Sequence, residues 1–157
     1  MAKKSAGILL YRFAGKLEVL LVHPGGPFFR NKDKGSWTVP KGEVMTGEQP
    51  FEAALREMKE ETGYLPEGDF LALKPIVQKG GKVVLCWAVK GELDVSKITC
   101  NTFRIEWPPK SGKMQDFPEV DQARWFSLSE ARIYINEQQQ PFLQELQQFA
   151  TVLFNCD

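Results

Sequence analysis

Net charge is missing from this sequence: twenty basic residues balance twenty acidic ones. No overall field therefore recruits nucleic acid or an anionic membrane, and any anionic partner must be held by local charge. Long apolar runs are missing too. The opening MAKKSAGILLYRF is too short for a signal peptide or a membrane span, so a cytoplasmic protein with no membrane partner is expected. Paired cysteines are absent. Cys86, Cys100 and Cys156 are odd in number and lack paired CxxC spacing, and they read as reduced thiols, packed rather than metal-bound. There is no internal repeat and no obvious linker, so residues 1–157 read as one domain, long enough to bury a real core. The stretch Ser111–Lys113 (SGK) lacks the order of a phosphate-binding P-loop.

What remains is a chain patterned for alternating strands and helices. Ser5–Arg12 and Leu17–Val22 are rich in Ile, Leu and Val and flank a short turn, predicting two strands. His23–Ser36 carries glycines, prolines and a charged cluster and reads as a loop, with His23 a turn residue. Trp37–Val39 reads as a short strand. Gln49-Pro50 opens a helix whose residues Phe51, Ala54, Leu55 and Met58 form an apolar stripe, and Gly63 is placed to end it. The runs Phe70–Lys79 and Lys82–Val89, joined by Gly80-Gly81, predict a hairpin. Further strands are expected at Thr102–Trp107 and Ala123–Phe126, with a loop at Pro108–Pro118. A capping box at Ser127 and Glu130 starts a small helix to Ile133, and a terminal helix from Gln138 carries Phe142, Leu146, Phe149 and Leu153 on one stripe. Strands separated by helices predict an α/β (α+β) sandwich with a mixed sheet.

The helix opened by Pro50 contains a conflict. Gly42–Tyr64, GEVMTGEQPFEAALREMKEETGY, holds six glutamates, and Glu57, Glu60 and Glu61 stand at i, i+3 and i+4 on one side of the helix. Like charges at this spacing repel by a few tenths of a kcal/mol per pair, and near a helix C-terminus the macrodipole opposes them further. A solvated acidic face is the plain alternative. A cluster of oxygen ligands for a hard divalent cation would offset the repulsion instead.

The segment resembles the Nudix box, G-x5-E-x7-R-E-U-x-E-E-x-G-U with U apolar. Gly42, Glu48, Arg56-Glu57, Met58, Glu60-Glu61, Gly63 and Tyr64 fill every fixed position, and the approach WTVPKGE is similar as well. The resemblance implies an α/β/α sandwich with a catalytic loop–helix–loop, and metal-dependent hydrolysis of a nucleoside diphosphate linked to another moiety. It implies Mg²⁺, with Mn²⁺ a substitute, held by Glu57, Glu60, Glu61 and the backbone carbonyl of Lys41. Arg56 would pair with Glu48 to hold the helix against its loop. Glu119, shortly before Trp125, would join the site as ligand or general base; a solvated loop glutamate is the alternative.

Outside the box the residues leave choices open. Lys79 and Lys82 flank the glycine turn and serve either a phosphate-binding edge or a plain hairpin tip. Arg30, Lys32 and Lys34 lie in the loop that feeds the box and either close over an anionic substrate or face solvent. Trp37, with other strand aromatics, offers a base-stacking face or a core side chain. The substrate expected is a nucleoside triphosphate or a dinucleoside polyphosphate, with nucleic acid disfavoured and the oligomeric state open. The rival function is a nucleotide-sensing binding module on the same fold.

Overall fold

Hydrophobic alternation along the first strand sets the architecture. In the computed structural model, which describes residues 3–154, β1 (Lys4–Phe13) is buried along nearly its whole length. Successive strand side chains point to opposite faces. Ile8 and Leu10 accordingly enter one core and Leu9 and Tyr11 the other.

The chain continues through β2 (Leu17–Pro24), β3 (Lys41–Glu43), α1 (Pro50–Thr62), β4 (Leu71–Ala72), β5 (Ile76–Val77) and β6 (Val83–Lys90). Then come β7 (Thr102–Glu106), β8 (Met114–Pro118), β9 (Val120–Ser127), α2 (Leu128–Tyr134) and α3 (Gln140–Phe154). The main sheet has seven strands, in the order β4-β6-β1-β2-β9, with β3 added to β1 and β5 to β6. The β1–β6 pair is parallel and the others are antiparallel, so the sheet is mixed. One face is covered by α1 through Ala53, Ala54 and Met58. The other is covered by α2 and α3 through Ala131, Phe142, Leu143 and Leu146. This is the expected α/β/α sandwich. No described helix is long and apolar enough to cross a membrane.

Register explains how the acidic segment enters the sheet. β1 pairs with β2 only at Tyr11–Phe13, and upstream the two strands part. The gap admits the chain that follows the long loop. Thr38 exchanges both backbone hydrogen bonds with Val22, Ile8 donates to the Pro40 carbonyl, and Lys41–Glu43 pairs with Gly7–Ser5. The segment before α1 is thus held by two strands at once.

Three expectations need correction. Trp37–Val39 makes isolated bridges, and the strand proper begins at Lys41. The run Phe70–Lys79 is broken into β4 and β5, with Pro75, which lacks an N–H for the ladder, between them. The loop drawn over Pro108–Pro118 ends in β8, which pairs with β7 from Thr102↔Pro118 to Glu106↔Met114. This hairpin is exposed along most of both strands, so no apolar alternation marks β8 in the sequence. Cys86 is a buried thiol and Cys100 is half-buried; Cys156 and the Leu153 side chain lie outside what the structure describes.

Candidate active site

Arg56 organises the acidic segment. Its Nε donates to Glu48 Oε2 (2.8 Å) and its Nη2 to Glu48 Oε1 (3.0 Å), a two-pronged clasp across the loop. Nη2 also donates to the Glu43 carbonyl (3.0 Å), while Nη1 reaches Glu57 Oε1 (2.8 Å) and Glu60 Oε2 (2.9 Å). The guanidinium therefore ties the start of the loop, its end and the helix into one unit. Hydrogen bonding to Glu48 first, then to Glu57, holds Arg56 above its ordinary range. The same Arg56 contact, helped by the Met45 N–H, holds the Glu48 carboxyl below its own. The helix ends on Gly63 at φ +81°, whose N–H donates to the Lys59 carbonyl (2.8 Å).

Glu61 departs from a simple acidic face. It is 7% exposed and lies with Met58 on the buried side of α1. With Glu57, Glu119 and Lys41 it lines a cavity of about 300 Å³, walled also by Val22, Pro24, Thr38 and Val120. Burial first, then the charges of Glu57 and Glu119, push the Glu61 carboxyl up to about 9, against the pull of nearby Lys41. Burial also raises Glu57 and Glu119, with Glu60 adding repulsion to each and Arg56 opposing it. Lys41 is lowered by burial and by Lys82, although Glu61 and Glu57 favour its charge. Three half-buried or buried carboxyls raised together mark a pocket short of positive charge.

Backbone contacts deliver Glu119 to this pocket from far along the chain. The Asn101 N–H donates to the Glu60 carbonyl (2.8 Å), and the Glu119 N–H donates to the Asn101 carbonyl (2.9 Å). On its other side the Glu119 carbonyl accepts from the Gly25 N–H (2.9 Å). Gly42 completes the packing, since any Cβ there would overlap the Glu57 carboxylate.

The donor set is entirely hard oxygen, which suits Mg²⁺ or Mn²⁺ over softer ions. Among the described residues, no three His, Cys, Asp or Glu side chains are close enough to cage an ion by themselves. Glu57 and Glu60 are engaged by Arg56 instead. The residues fit a divalent cation that shares its shell with water and backbone oxygen.

A model of the NUDIX domain matches residues 1–146. The chain belongs to the Nudix family. Among curated relatives, the asymmetrical bis(5'-nucleosyl)-tetraphosphatase of Caenorhabditis elegans is 43% identical over 68 residues, which is 43% of this chain and 45% of that protein. Nudix hydrolase 5 of Arabidopsis thaliana is 30% identical over 121 residues, 76% of this chain and 34% of the relative. These matches span less than half the length of either relative. The crystal structure of C. elegans Ap4A hydrolase superposes with a TM-score of 0.58 at 27% identity, covering 98% of this chain and 99% of that one. Its binary complex gives 0.65 at 24% identity, covering 92% and 96%.

On this Nudix fold the residues expected around the box separate into distinct places. Lys41 lines the carboxylate cavity, and Lys82 is near enough to depress it. Lys79 is absent from the wall of that cavity, and its backbone N–H donates to Gln138 Oε1 (3.3 Å). Trp37 is 2% exposed, enclosed by Phe126, His23 and Arg124, and donates its indole N–H to Asp33. It is a core side chain with no face for a base. Arg30 and Lys32 line a different cavity, one that shares no wall residue with the carboxylates, and Lys34 lines neither. The sequence missed Asn101, because a backbone bridge leaves no side-chain signature, and Thr38, whose role depends on the parting of β1 and β2.

Proposed function

We propose that the chain hydrolyses a phosphoanhydride bond in a nucleoside diphosphate linked to another moiety, most readily a nucleoside triphosphate or a dinucleoside polyphosphate. The observation that carries this reading is the convergence of Glu57, Glu61 and Glu119 with Lys41 on one cavity, all three carboxyls raised by burial and by neighbouring glutamates. The partial identity to the nematode tetraphosphatase supports the substrate class. Mg²⁺ or Mn²⁺ held by Glu57, Glu60, Glu61, Glu119 and the Lys41 carbonyl would neutralise the diphosphate and lower the pKa of a bound water.

The protein's own groups have separable tasks. Arg56 and Glu48 fix α1 against its loop, so that the box carboxylates keep their spacing. Glu119, the least constrained of the cavity acids, is suited to take the proton of an attacking water. The Lys41 and Lys82 ammoniums supply positive charge for the phosphate oxygens. The apolar wall of Val22, Pro24 and Val120 limits water around the reacting bond.

Purified protein assayed against a nucleotide panel with Mg²⁺ and with Mn²⁺, reading released phosphate and pyrophosphate, tests the reading. Glu57→Gln and Glu61→Gln are expected to fold normally and to lose roughly 10²-fold or more of the metal-dependent rate. Parent-like turnover of the best substrate by both variants would exclude this assignment.

A further inference from the structure

The sheet face opposite α1 carries a second polar cavity that the proposed hydrolysis leaves unused. It measures about 590 Å³, and its wall includes His23, Arg30, Lys32, Trp37, Gln122 and Arg124. His23 stands on β2 between Val22 and Pro24, which line the carboxylate cavity on the other side. Trp37 belongs to the core under α2 and α3, whereas Val22 and Val120 belong to the core under α1. The two cavities lie back to back across the same pair of strands, β2 and β9.

The charges in this second cavity are unevenly satisfied. Arg124 is half-buried, with its guanidinium carbon 4.6 Å from the centre of the Phe126 ring, 5.6 Å from Trp37 and 5.8 Å from Tyr134. Aromatic faces support the positive charge but do not use the N–H donors that lie in the guanidinium plane. Among the described residues no carboxylate forms an ion pair with Arg124 and no acceptor takes its N–H groups. Glu130 feels Arg124 only at a distance, being held by Ser127 in the capping box. Each acid of the cavity has one carboxylate oxygen engaged inside it. Asp33 accepts the Trp37 indole N–H (2.8 Å), and Asp121 meets His23 Nδ1 (2.8 Å). His23 Nε2 lies 2.6 Å from the Lys32 carbonyl and so pins the loop that carries Arg30 and Lys32 at the rim. Arg30, Lys32 and Arg124 outnumber the two carboxylates, and among the described residues none of the three forms an ion pair.

We propose that this cavity is an anion site that receives a phosphate group on Arg124, with Arg30 and Lys32 closing on it from the loop. A planar guanidinium with free donors matches phosphate oxygens in pairs. The phosphate has two possible sources: an outlying group of a long polyphosphate substrate that reaches across the end of the sheet, or a free phosphate compound acting as an effector.

The test uses inorganic pyrophosphate with EDTA present, so that the carboxylate cavity repels the probe, and follows the Trp37 indole N–H by ¹⁵N NMR. The parent and Glu61→Gln are expected to show the same saturable shift. Arg124→Leu, and separately the surface double variant Arg30→Ala with Lys32→Ala, are expected to bind about tenfold or more weakly, as loss of a charge-assisted contact requires. Absence of a saturable shift in the parent, or equal binding by all variants, overturns the proposal. Two further arms separate the sources. With divalent metal, a rise in KM for a dinucleoside tetraphosphate but not for a short diphosphate derivative in Arg124→Leu assigns the site to the substrate. A pyrophosphate effect on turnover of the short substrate that Arg124→Leu abolishes assigns it to an effector. Because the binding arm requires no turnover, its failure leaves the proposed hydrolysis standing, and an inactive protein leaves the anion site testable.

Discussion

At the scale of single residues, Glu61 and Gly42 show how much chemistry depends on placement. The Glu61 carboxyl is pushed from 4.5 to about 9 in the folded protein. A carboxyl that binds its proton more tightly when folded stabilises the fold at low pH, and this contribution declines as pH rises from about the unfolded value toward the folded one. Metal-free protein in EDTA should therefore lose thermal stability between pH 5 and 9 more steeply than Glu61→Gln, whose amide carries no such dependence. Melting curves across that range check it, and parallel profiles would refute the burial argument. Gly42 makes a different point. A methyl group there would occupy the space of the Glu57 carboxylate. Gly42→Ala is expected to keep its fold, at a cost of roughly 1–3 kcal/mol for overpacking, while kcat falls by a much larger factor than stability explains. Circular dichroism beside steady-state kinetics would distinguish the two effects.

At the scale of elements, the helix α1 was legible because all its signals agree: proline at the start, an apolar stripe through Ala54 and Met58, and glycine at the end. Gly63 adopts φ +81° at the C-terminus, and a Cβ there would also collide with the Thr99 hydroxyl. Gly63→Ala should cost more than about 1 kcal/mol, since an L side chain at positive φ is strained in addition to the clash. Urea denaturation would show a lower midpoint with an unchanged slope. The strand β8 was not legible. Its residues Met114, Gln115 and Asp116 are exposed, so nothing in their order distinguishes a pairing strand from a loop. The apolar composition of the run before Gly80 predicts one strand, but Pro75 interrupts the ladder.

At the scale of the whole molecule, the fold sets two cavities of opposite character on either side of β2 and β9. One gathers carboxyls with raised proton affinity; the other gathers Arg30, Lys32 and Arg124, none of which forms an ion pair among the described residues. A divalent cation that binds only the folded protein must stabilise it. At a hundredfold excess over Kd the gain is about 2.7 kcal/mol, so Mg²⁺ or Mn²⁺ should raise Tm by roughly 5–11 °C in the parent and much less in Glu57→Gln. An equal shift in both would place the ion elsewhere. The family, the helix with its acidic residues and the two-faced strands are written in the order of residues, because each is a local pattern of residue types at fixed spacing. It took the three-dimensional fold to show that Glu61 is buried while Glu60 is held by Arg56, that Asn101 carries Glu119 to the pocket, and that Arg30 and Lys32 line a different cavity. Those outcomes depend on where the strands part and on which side of the sheet a loop returns, and the order of residues along one segment does not encode either.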